Sequence, residues 1–256
     1  MTLLAVERIK LFTTRSPWWC ALVTLVLTIG FSALIVGNSG DGEPSATVAS
    51  TQFGYGFGTA VIMVLAALSV TTEYRFGTMR TTFQAIPRRG RALLSKAVVV
   101  ALLGLVIGEV SAFGSWAVGI LLKPEAELAL NSAADWVNVA GVGVVYALAA
   151  VLAVAVGILL RHSAGAIALL LIYALAVEGL VQLIPGIGND IHQWMPFNVA
   201  EKFLSGDGAS NAVDGIAAGA PLSDSPLSQA WALAYFAGVV LVLLAVAIGV
   251  AKKRDA

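Results

Sequence analysis

Two carboxylates stand inside stretches that are otherwise apolar, Glu109 and Glu178. An ionised acid at the centre of a bilayer costs about 2.5–3.5 kcal/mol or more, so such a residue faces a cavity, a partner or another polar group. Glu109 has Phe113 and Trp116 on its flank at i+4 and i+7. A polar handle beside an aromatic wall suits an amphiphilic or cationic substrate. Glu109, Phe113, Trp116 and Glu178 are therefore candidate residues of a translocation pathway. For both glutamates the alternative stays open that a protonated, hydrogen-bonded acid only holds helices together. No catalytic or metal centre is expected. His162 and His192 are the two histidines, no His-Glu-x-x-His pattern occurs, and Cys20 is the single cysteine. The formal net charge is zero, which gives no global field to attract nucleic acid.

The elements that must position these residues are transmembrane helices. Hydrophobic residues make up 59% of the chain and charged residues 12%, against roughly 25% charged in a soluble domain. The apolar residues lie in six long runs: Trp18–Val36, Phe53–Val70, Ala97–Leu122, Trp136–Leu160, Ala164–Ile184 and Gln229–Ala251. At about 1.5 Å rise per residue, each can cross a hydrocarbon core of roughly 30 Å. The first run is longer than a secretory signal core and is followed by no clean cleavage site, so it is read as a retained span. Strand-like alternation is missing, so the expected fold is all-α and polytopic, one transmembrane domain over residues 1–256.

Orientation follows from the fifteen Lys and Arg residues. All but Lys123 and Lys202 fall on one side of the six-span arrangement, which the positive-inside rule makes cytoplasmic. Both termini then lie in the cytoplasm, and His162 and His192 lie on opposite sides, unable to share a metal.

Five of those thirteen basic residues sit in the loop over residues 72–91. At 100° per residue, Phe76, Met79, Phe83 and Ile86 share one face of a helix. Gly77, Thr78, Thr81, Gln84 and Ala85 form a low-relief opposite face, and Pro87 and Gly90 end the helix. A positively charged turn that only sets topology is the plainer reading. The last outer segment, residues 185–228, is too long for a turn. Pro196 divides it, and Gly206–Pro226 reads as irregular loop.

The pattern Glu73-x3-Gly77-Thr78-Met79-Arg80, followed by Ile86-Pro87-x2-Gly90-Arg91 and Lys96, resembles the first intracellular loop of ABC-2 type permeases, the membrane subunits of ABC exporters. Leu4, Glu7, Lys10, Leu11, Thr13, Arg15 and Trp18 are similar to the interfacial elbow helix at the start of such permeases, here residues 1–17. The resemblance implies that the loop is a coupling helix seated in an ATPase groove. Glu73, Arg75, Phe76, Gly77, Thr78, Arg80, Thr81, Gln84, Pro87 and Arg91 would then be the ATPase-coupling residues. It implies short re-entrant helices in the outer segment and a plasma-membrane location. The chain has no G-x-x-x-x-G-K-[ST] phosphate loop. ATP and Mg are thus expected on a separate ATPase, in two copies, beside a second permease copy or a homologous permease in the membrane lipid. The implied cargo is an amphiphilic, lipid-like, drug or peptide substrate. Two other readings stand beside this one: a non-transporting anchor or sensor, and a proton-coupled secondary transporter using Glu109 and Glu178.

Overall fold

Within lipid a backbone must satisfy its own amides, and six helices do so here. The computed structural model describes residues 3–39, 46–86, 88–206, 212–213, 216–217 and 223–253. A ten-residue helix, α1 (Leu3–Phe12), precedes the first span, α2 (Ser16–Asn38). Pro17 sits in the first turn of α2, where its missing N–H costs nothing. After a 3-10 turn at Ala49–Gln52, the second span is α3 (Tyr55–Arg75), followed by the short α4 (Thr78–Ala85). The third and fourth spans are α5 (Arg89–Leu122) and α6 (Ala133–Leu160). A capping box between Ser132 and Asp135 starts α6. The fifth span joins α7 (Ser163–Ile172), a π-turn at Tyr173–Val177 and α8 (Glu178–Val181). Two short helices, α9 (Gly188–His192) and α10 (Pro196–Ser205), precede the last span, α11 (Gln229–Lys253).

The six spans are not equivalent. In α6, 72% of the most apolar window is buried within the chain, against 22% in α2 and 17% in the fifth span. The fourth span is therefore the axis, packed by α3, α5, α7, α10 and α11. Large side chains such as Trp19, Val26, Leu121, Leu183 and Trp231 point outward, as lipid-facing helices allow. Small residues let the axis form. A Cβ on Gly108 would lie 2.6 Å from the Cα of Gly143, so α5 and α6 touch backbone to backbone there. The ridge Gly104, Gly108, Ser111, Ser115 and Gly119 is thereby used within the protomer.

Three local expectations need correction. The loop helix is not one amphipathic stretch from Phe76 to Ile86. The second span continues to Arg75, Phe76 is its C-cap and 72% exposed, and Gly77 adopts φ +71 before α4 begins. A left-handed residue breaks the 100° progression, so Phe76 leaves the face on which Met79 and Phe83 are buried. The third span likewise begins at Arg89, several residues before its apolar run, because a helix can continue past the hydrocarbon into the headgroups. Within Gly206–Pro226, a two-residue antiparallel ladder pairs Ala212 with Ala217 and Val213 with Ile216. Much of that segment, with Pro87, lies outside the described residues.

Candidate functional site

At the end of the bundle where α1, α3, α4 and α5 meet, four charged side chains form one network. Lys96, in the first turns of α5, donates to Glu7 of α1 and to Glu73 of α3, the latter at 2.9 Å. Lys10 donates to the other Glu7 oxygen at 3.1 Å, to Glu73 at 3.4 Å and to the hydroxyl of Thr82 on α4 at 3.1 Å. The side chains of Lys96 and Glu7 are 7% and 5% exposed, whereas Lys10 is 35% exposed. Burial pulls the Lys10 ammonium down, but Glu73 and Glu7 outweigh it and hold it above its ordinary range. Two ammonium and two carboxylate groups balance, which is what permits such burial. The network borders a cavity of about 130 Å³ lined also by Leu11, Ser69 and Thr72.

Of the sequence-predicted coupling residues, Glu73 is drawn into this network. Arg75, Phe76, Gly77, Thr78, Arg80, Thr81 and Gln84 form an exposed surface on and beside α4. Arg91 is also exposed but lies elsewhere, across from the last turn of α11 with Lys252. Met79 and Phe83 are the buried side of α4. Behind them α4 is tied to α1 by the Lys10–Thr82 bond and to α3 by the bend at Gly77. Charge-assisted hydrogen bonds thus link α4 directly to α1, and through Lys10 and Glu7 to α3 and α5. The spacing of Glu7 and Lys96 in sequence gave no local signal of their pairing. The one available hint was a lysine and an acid each lying close to an apolar span.

The opposite end carries a second polar network. Glu178 accepts the backbone N–H groups of Phe197 at 3.1 Å and Asn198 at 3.0 Å. It therefore serves the start of α10, where amides lack helical partners and the dipole favours an acceptor. Asn198 donates to Asp224 at 2.7 Å and to the His192 carbonyl at 3.0 Å, and His192 meets Asp224 at 2.9 Å. A cavity of about 300 Å³ lies beside it, walled by Tyr55, Met63, Glu178, Phe197 and Glu201. Glu109 is not in that cavity. It is half-buried against Gly143 of α6, with no hydrogen bond to its carboxyl among the described residues. Phe113 stacks edge-on with Trp116 at 6.4 Å, and the Trp116 indole donates to the Leu128 carbonyl at 2.7 Å. Glu109 and Glu178 are thus in different surroundings, one with no hydrogen bond to its carboxyl among the described residues and one bonded to the first turn of α10 while also lining the cavity. Among the described residues no group of His, Cys, Asp or Glu is arranged to hold a metal.

Glu201, missed in the sequence, lines the same cavity. Burial, with Glu178 nearby, pushes its carboxyl from an ordinary 4.5 up to about 7. The folded protein disfavours its charged form, so its penalty is absent below pH 4.5 and grows as pH rises toward 7. Glu201→Gln should melt at a higher temperature than the parent at about pH 8 and at the same temperature at about pH 4.5. Equal pH slopes for the two proteins would mean that Glu201 is solvated and titrates normally.

Six apolar helices, a buried axial span and polar networks at both ends define a multi-pass helical membrane protein. A family model for ABC-2 family transporter protein matches residues 3–177, from α1 into the fifth span. The chain belongs to that family and is a membrane component of a transport system. Permeases of this family generally work with ABC ATPases. A search of curated proteins finds no match.

Proposed function

We propose that this chain is the permease subunit of an ATP-driven exporter, with the exposed face of α4 docked on a separate ATPase. The observation that carries this reading is the buried Glu7–Lys96–Glu73 network with its Lys10–Thr82 extension, which joins α4 to α1, α3 and α5. A loop that only fixed topology would need positive charge but no buried connection to three helices. Two ATPases close on ATP and Mg, and the movement enters at Arg75–Gln84. The basic end lies in the cytoplasm with both termini, supported by the thirteen Lys and Arg residues that remain when Lys123 and Lys202 are set aside from fifteen. The membrane is the plasma membrane, and a second permease copy or a homologous permease completes the pathway. The cargo is an amphiphilic, lipid-like, drug or peptide molecule that leaves between the two permeases. α1 is the interfacial elbow, and α9 and α10 are the short helices that close the outer end.

Thr81→Trp and Gln84→Trp test this directly. Both positions are exposed, so folding should change by no more than about 0.5 kcal/mol. ATPase co-purification and transport-linked hydrolysis should nonetheless fall about tenfold or more, as expected for a central interface position. Normal export and normal ATPase association in both variants would reduce α4 to a charged turn. Transport that needs a proton gradient and no ATPase would favour instead the rival in which Glu109, the unpartnered acid, carries a proton.

A further inference from the structure

The first turn of α5 and the last turn of α11 meet at Gly90. A Cβ there would lie 3.1 Å from Cε of Lys252 and 3.4 Å from a methyl of Ile248. Around this crossing runs an open groove of about 600 Å³ lined by Arg88, Arg89, Arg91, Leu94, Ile248 and Lys252. Arg88, Arg91 and Lys252 are exposed, and none of the ion pairs among the described residues involves them. Polarity changes along the groove within one helical turn. Leu94 lies three residues beyond Arg91 and is 49% exposed, and Ile248 lies four residues before Lys252. The mouth is cationic and the floor is apolar.

Depth in the membrane follows from length. α5 has 34 residues, so it spans about 51 Å at 1.5 Å per residue. The hydrocarbon core takes up roughly 30 Å of that. The surplus length lets the charged first turns of α5 stand among headgroups, with Leu94 and Ile248 further along their helices toward the apolar part of the spans than Arg91 and Lys252.

We propose that this groove binds an anionic phospholipid of the leaflet at the basic end, its phosphate between Arg88, Arg91 and Lys252 and its acyl chains over Leu94 and Ile248. The arginines offer forked donors that match phosphate oxygens. An acidic protein surface would satisfy the cations but leave the apolar floor uncovered, whereas an amphiphile with an anionic head meets both. The seat clamps the start of the third span to the end of the last span, near the Lys96 network but separate from it.

The test uses the full purified chain with defined lipids, phosphatidylglycerol against phosphatidylcholine, read by native mass spectrometry and by melting temperature. Phosphatidylglycerol should be retained preferentially and should raise the melting temperature. Arg88→Gln combined with Lys252→Gln should weaken that retention roughly 10- to 30-fold, at about one order of magnitude or less per cation removed. Arg15→Gln combined with Arg80→Gln removes equal charge from the same end and should leave retention unchanged. Equal weakening by the control pair would mean a diffuse surface field and overturn the proposal. So would the absence of a headgroup preference, or displacement of the lipid by inorganic phosphate alone, which would mean an anion site without an acyl seat. Unchanged lipid retention with lost ATPase association in the Arg88/Lys252 variant would assign the groove to protein contact instead.

Discussion

Lys96→Met is expected to destabilise the folded chain by about 3–5 kcal/mol, because it leaves two buried carboxylates sharing one half-exposed ammonium. Methionine nearly matches the lysine stem in length, so the loss comes from charge and not from a cavity. The Lys96 side chain is 7% exposed and contacts both Glu7 and Glu73. Lys10, at 35% exposure, supplies the contrast: Lys10→Met should cost no more than about 1 kcal/mol, since solvent screens its pairs. Adding Glu7→Gln to Lys96→Met restores the charge balance and should recover part of the loss. Melting temperature and the yield of monodisperse protein report all three. A Lys96→Met variant as stable as the parent would show that water reaches the network, and the route from α4 to α5 would lose its rigidity.

Gly108→Val is expected to damage the packing of the spans severely. Its Cβ would approach the Gly143 Cα at 2.6 Å and the Tyr146 ring at 3.0 Å. The first of these is backbone and cannot swing aside. Overpacking a tight contact costs about 1–3 kcal/mol and sometimes more, and here it pries α5 from the axial helix. Glu109 would be disturbed too, because its carboxyl packs on Gly143 in the same contact. Gly238→Val is the matched control, since nothing lies within 4 Å of a Cβ placed there. Size-exclusion behaviour and thermal unfolding should separate the two variants clearly. Similar profiles would mean that the spans can slide apart and that the ridge does not set their spacing.

Much of the architecture was legible before any coordinates. The six apolar runs became six helices, and the basic residues gathered at one end, since both depend on local composition. The amphipathic reading of the loop succeeded for Met79 and Phe83 and failed for Phe76. Periodicity assumes one unbroken helix, and the left-handed turn at Gly77 interrupts it. The glycine ridge of the third span was visible as a ridge, but its partner was not. Which helix fills a groove depends on the face that some distant helix offers.

The polar contacts were the least legible part. Glu7 and Lys96 lie 89 residues apart, and His192 and Asp224 lie 32 apart, so no window of sequence joins them. The two intramembrane glutamates show the division most sharply. From sequence alone both were a carboxyl in an apolar run, Glu109 with an aromatic flank, and for both function or structure stayed open. The chain returns to Glu178 with the free amides of Phe197 and Asn198, which its carboxyl accepts. It returns to Glu109 with only the bare face of Gly143. Membrane insertion was determined by sequence because a hydrocarbon layer reads about twenty residues at a time. The partners of each buried charge were decided by tertiary structure, because a charge is stabilised only by the groups that folding brings within hydrogen-bond reach.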